Sequence, residues 1–129
     1  MNVKLLRKVK DEICKKPSQF NMDWFYNDRD QLGNKPSNCG TALCIAGWGI
    51  CLSQKINPND LMFQDGDFFA RARKIFDLTQ GQAENLFDAN NWDWRFDYEF
   101  EGAGTMKKKT KIAAEYIDYF IDKYGKNEN

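Results

Sequence analysis

Histidine is absent from all 129 residues. Its absence removes the commonest general base near neutral pH and the commonest metal ligand. Ser–His and Cys–His catalysis are thereby excluded within one chain. Net charge is missing too, since 19 basic residues balance 19 acidic ones. A dedicated nucleic-acid binder carries a basic excess to neutralise phosphates, so no nucleic-acid partner is expected. No long apolar run exists: the longest uninterrupted one, 42–52, has eleven residues and is too short to span a bilayer. The charged opening Met1–Lys16 does not read as a signal peptide. The four cysteines, Cys14, Cys39, Cys44 and Cys51, are therefore expected to be free thiols of a cytoplasmic, reduced protein. Repeats, low-complexity tracts and linkers are also lacking, which makes 1–129 a single domain.

What is present favours helices. Val3, Leu6, Val9 and Ile13 recur at helical spacing among charged residues, and Pro17 stops that helix. Residues 67–77 read as a helix with Phe68, Phe69, Ala72 and Phe76 inward. Thr79 and Gln82 form a capping box ahead of Ala83, Leu86 and Phe87. Thr105 caps a long last helix whose stripe of Ile112, Ala113, Tyr116, Ile117, Phe120, Ile121 and Tyr124 ends at Gly125. Residues 39–53 contain no charge, and 42–52 are apolar on every helical face. A helix there must be surrounded by protein, capped by Asn38 or Thr41. The fold class is thus mainly α, a compact helical domain around a buried central helix at about 42–52.

One stretch breaks the helical pattern. From Trp92 to Phe100, aromatic and charged residues alternate strictly over nine positions. As a strand, this segment places Trp92, Trp94, Phe96, Tyr98 and Phe100 on one face. A lone strand cannot satisfy its backbone, so a short two-stranded ribbon of 20–26 with 92–100 is an expected companion to the helices. Five exposed aromatics would be a heavy liability. They are expected to be covered either by the domain's own helices or by a partner.

The run Asn38-Cys-Gly-Thr-Ala-Leu-Cys-Ile-Ala-Gly-Trp48 resembles the Cys-Gly-Thr-x-x-Cys-Ile-Ala-Gly-Trp signature of an uncharacterised family of small bacterial and phage proteins. Leu78-Thr79 with Ala83 and Leu86-Phe87, and Ala113-Ala114-x-Tyr-Ile-Asp-Tyr-Phe-Ile121, are similar to further parts of it. The resemblance implies no activity. The chain departs from the family pattern after Asn91-Trp92, where no proline follows and the Trp-rich run is longer.

The chemistry-bearing residues each have two readings. Cys39, if it precedes a helix, sits near the positive dipole end that lowers a thiol pKa. With Cys44 it is the candidate thiol site; the alternative is that Cys39 packs at a helix start and Cys44 fills a core gap. The C-x4-C spacing is not that of a redox pair. Cys44 and Cys51 would lie about 10 Å apart along a helix, too far for one tetrahedral ion. No metal and no cofactor are expected. Asp65-Gly66-Asp67 lacks the remaining calcium-loop ligands and reads as a turn before a capped helix. Lys107, Lys108, Lys109 and Lys111 are a solvated face or a site for an anionic partner. The stretch 88–101, with five acids against one arginine and a local charge of −4, is positioned to pair with them.

The candidate binding residues are Trp92, Trp94, Arg95 and Trp48. Trp, Tyr and Arg dominate interface energetics, and all three occur between 92 and 100. The expected function is a non-enzymatic protein-binding or self-associating module. One alternative is a small-molecule binding or sequestering protein with Gly47, Trp48 and Gly49 lining a pocket. Thiol chemistry at Cys39 is the other.

Overall fold

A computed structural model describes residues 1–20, 22, 44–61 and 67–125. The protein is mainly α. Its helices are α1 (Val3–Lys15), α2 (Ile45–Gln54), the single turn α3 (Pro58–Leu61), α4 (Phe68–Phe76), α5 (Gln80–Phe87), α6 (Trp94–Gly102) and α7 (Met106–Tyr124). Short 3-10 turns lie at Pro17–Gln19 and Ala89–Asn91. Among the described residues there is no strand beyond a bridge position at Phe20.

The helix boundaries follow from local chemistry. Asn2 accepts the Leu5 N–H at 3.1 Å and starts α1, which ends two residues before Pro17. Asp67 accepts the Ala70 N–H at 3.1 Å and starts α4. The Thr79–Gln82 box closes in both directions, at 3.1 Å and 3.0 Å. Each such cap stabilises its helix by about 1 kcal/mol. Thr105 accepts the Lys108 N–H and opens α7, the longest helix at 19 residues.

Burial sorts the elements. In α2, residues Ile45 to Cys51 are all buried, whichever face they occupy. This is the charge-free core helix, with Cys44 at its N-cap; Asn38, Thr41 and residues 42–43 lie outside the described residues. Helix α4 covers one side of it and α1 another, while α1 and α6 flank α7. A Cβ built on Gly49 would run into the Phe76 ring. The glycine, which costs about 1 kcal/mol against alanine in a helix, thus lets α4 approach α2.

The segment from 92 to 100 departs from its expected form. It is not a strand: its last seven residues belong to α6. The other half of the expected ribbon, 20–26, is described only at Phe20 and Met22, both buried. An alternating run contains every second residue and hence also every fourth. Phe96 and Phe100 fall on one face of α6, Trp92 joins them from just before the helix, and all three are buried. Their cover is α7. Trp92 stacks on Tyr116 with ring centres 4.5 Å apart, Phe96 meets Tyr116 and Tyr119 at 5.2 Å, and Phe100 meets Trp92 edge-on at 5.0 Å.

Candidate functional site

The helical period that buries three aromatics of the run leaves the other two outside. Trp94 and Tyr98, four residues apart on α6, are each 77% exposed. Glu101 continues their stripe at seven residues from Trp94 and is exposed as well. These side chains stand opposite the Phe96–Phe100 face, so they do not reach the core. The same helix carries Arg95, whose guanidinium lies 4.4 Å from the Phe96 ring centre. That contact directs Arg95 along the flank of α6, and no carboxylate of the described residues pairs with it.

A groove of about 840 Å³ runs beside this stripe between α6 and α7. Tyr98, Glu99 and Glu101 line one wall, and Lys108, Lys111 and Glu115 the other. A smaller depression at Arg95, Phe96 and Tyr119 shares Glu99 and Glu115 with it. The expected pairing of the 88–101 acids with these lysines is not formed: none of Lys107, Lys108 or Lys111 lies within ion-pair distance of a carboxylate among the described residues. Lys109 instead lies over the Phe100 ring at 5.2 Å. The face therefore presents two large aromatics together with unpaired charges of both signs.

The other sequence candidates lie elsewhere. Trp92 is 3% exposed and its indole N–H donates to the Leu86 carbonyl at 3.1 Å, so it supports the surface stripe from beneath and does not join it. Trp48 is also buried, with its N–H donated to the Gln19 carbonyl at 3.0 Å. The space beside Gly49 is filled by Phe76, so that glycine serves packing, not a ligand pocket. Cys39 lies outside the described residues. Cys44 occupies the helix-start position that was expected of Cys39. Burial nonetheless pushes its thiol up to about 11, outweighing the lowering by the backbone N–H groups of Gly47 and Ala46. Burial likewise pushes Cys51 up to about 12, against a lowering by Arg71. Neither is a thiolate near neutral pH, and a protonated buried thiol is a poor nucleophile. Cys14 is exposed, and it too is raised, first by partial burial.

Sequence reasoning grouped Tyr98 with Trp94 and set the 88–101 acids against the lysines, but it did not place Glu101, Lys108 and Lys111 beside Tyr98 along one groove. The four-residue distance keeps Tyr98 with Trp94 in a helix as in a strand, whereas Glu101 joins them only once α6 is a helix. Among the described residues no helix is long and apolar enough to cross a membrane, and no three potential ligands gather as a metal site would require. No family model, no curated protein and no solved structure matches this chain.

Proposed function

We propose that this protein is a non-enzymatic protein-binding or self-associating module that engages its partner through the outer face of α6. The observation that carries the reading is the exposure of Trp94 and Tyr98 on a helix whose opposite face is well packed. Covering one such side chain is worth roughly 1.5–3 kcal/mol. Trp, Tyr and Arg are also the residue types enriched at binding hot spots. The two buried described thiols are protonated and no histidine is available, so support for thiol chemistry is weak. A ligand-sequestering pocket at Gly47–Gly49 has little support, since Trp48 and Phe76 occupy that region. The reading places the protein in the cytoplasm, on the strength of its unpaired cysteines at 14, 44 and 51.

The test is a photocrosslinking amino acid in place of Trp94, compared with the same probe in place of the exposed Lys74 on α4. Both variants are irradiated in producing cells. A discrete protein adduct formed from position 94 and not from 74 is the expected result. Equal or absent adducts at the two positions would refute the reading.

A further inference from the structure

The zero net charge of the chain hides an uneven distribution. Helix α1 carries five cations against two acids, and α7 five against three. These two helices pack against each other. Between them runs a groove of about 700 Å³. Neither Trp94 nor Tyr98 lines it, so it is separate from the binding face proposed on α6. Small side chains line its middle: the exposed Cys14 from α1, and Thr110 and Ala114 from α7. Thr110 donates its hydroxyl to the Met106 carbonyl at 2.7 Å, which leaves the groove no free donor there. The remaining lining side chains are four lysines, at 10, 107, 108 and 111, and two carboxylates, Glu115 and Asp118.

Charge is graded along this groove. At one end Lys10 is neutralised by Asp118, with Nζ and Oδ2 2.7 Å apart. Asp118 lies seven residues, about 10 Å, beyond Lys111 along α7. At the other end Lys107, Lys108 and Lys111 are exposed, with no carboxylate in ion-pair distance among the described residues. Glu115, one turn past Lys111, offsets only one of these three cations. The groove therefore has a cationic end, an apolar middle and a neutral far end. Its volume falls within the roughly 300–1,000 Å³ of small-molecule sites. Lysine stems carry apolar surface up to the edge, and each ammonium meets an anion as a point charge. A nucleic acid would need a track of cations following its backbone; these three gather at one end of a recess. We propose that the α1–α7 groove binds a small amphipathic anion, a carboxylate, sulfate or phosphate head on a hydrocarbon body. The head sits among Lys107, Lys108 and Lys111, and the body lies along Thr110, Cys14 and Ala114.

Cys14 supplies the reporter, because a body lying in the groove covers its thiol. The rate of its alkylation by N-ethylmaleimide is followed by mass spectrometry on the folded protein, with decanoate as the probe at up to about 2 mM. Rates are compared at probe concentrations that leave Cys44 and Cys51 unlabelled, so that the core stays closed. Decanoate should slow Cys14 labelling saturably, by at least about fivefold. Inorganic phosphate is a head without a body, and decyltrimethylammonium is the same body with the opposite charge; neither should protect the thiol. Replacing Lys108 and Lys111 together by glutamine should raise the half-protecting decanoate concentration at least about tenfold. Both lysines are exposed, so unchanged helical circular dichroism is the control for folding. Absence of protection by decanoate overturns the inference. Equal protection by phosphate alone or by the cationic amphiphile, or protection that survives the double substitution, overturns it equally. Protection by phosphatidylglycerol vesicles without protection by free decanoate would make a membrane surface the occupant and sink the small-molecule site.

Discussion

Trp92 and Trp94 stand two residues apart, and the same substitution should have opposite consequences at them. Trp92→Ala removes an indole that is stacked on Tyr116, touched edge-on by Phe100, and hydrogen-bonded to the Leu86 carbonyl. Large aromatic truncations in a core cost about 3–5 kcal/mol, and the Leu86 carbonyl loses a partner worth about 1 kcal/mol. A loss near 4 kcal/mol is expected. Trp94→Ala removes a side chain that is mostly in water, and alanine is the better helix former, so its effect on the monomer should stay within about 0.5 kcal/mol. The assay is urea unfolding followed by circular dichroism at 222 nm. Low-micromolar protein keeps association from contributing to apparent stability. With a slope of about 2 kcal/mol per molar urea, the two midpoints should differ by about 2 M. Similar losses for both variants would refute the helical partition of the segment, since a strand puts both indoles on one face.

Three further outcomes follow from the core. Gly49→Ala would ordinarily gain about 1 kcal/mol of helix propensity; here the new methyl meets Phe76, so a net loss of roughly 1–3 kcal/mol in the same unfolding assay is expected. Native alkylation at pH 8, mapped by mass spectrometry, should label Cys14 readily and leave Cys44 and Cys51 unlabelled until denaturant is added. The Cys44 thiol is an acid whose folded pKa, about 11, exceeds its ordinary 9.0. Below pH 9 both folded and unfolded states hold the proton, and its contribution to stability is complete. Between pH 9 and 11 the unfolded state ionises first, so this thiol alone should lower stability by roughly 2–3 kcal/mol, and Cys51, raised from the same 9.0 to about 12, adds to the fall. Cys44→Ala should make that part of the pH profile shallower and leave the Cys51 share, whatever its own cost in packing.

Much of the fold was legible because its determinants are local. The Thr79–Gln82 box, the Thr105 cap and the apolar stripes of α1 and α7 lie within a few residues of one another, and each behaves as its spacing dictates. Helix α2 was legible for a different reason: eleven residues without charge have to be buried whatever their period. Other features depend on distant partners. Lys55 and Asp77 end α2 and α4 in the left-handed region, with φ of 56° and 57°, and no glycine marks either position. The purpose of Gly49 was open until Phe76, 27 positions later, was seen to fill the space beside it. The candidate site was half legible. Trp94 and Arg95 were identified as candidates from composition, and alternation already set Tyr98 on the Trp94 face, but Glu101 joins that stripe only through a helical geometry that alternation did not suggest.

That geometry has an identifiable cause in α7. Strict alternation is compatible with two structures, since a strand gathers all five aromatics on one face, whereas α6 turns Phe96 and Phe100 inward beside Trp92 and leaves Trp94 and Tyr98 outside. A strand needs a neighbour offering backbone hydrogen bonds, whereas a helix needs only a neighbour offering a complementary surface. The stripe of Tyr116, Tyr119 and Phe120 supplies that surface, and Trp92, Phe96 and the rings around them interlock with it. Arg95 reinforces the choice by lying across Phe96 from the solvent side. Once α7 has taken every fourth aromatic, Trp94 and Tyr98 have no route to the interior. The exposed pair is therefore a direct consequence of how the core is satisfied. The packing makes no use of its size, for alanine or lysine at either position would serve an exposed helix face equally well. Two large aromatics where the fold requires none are the reason the proposed binding role is placed on that face.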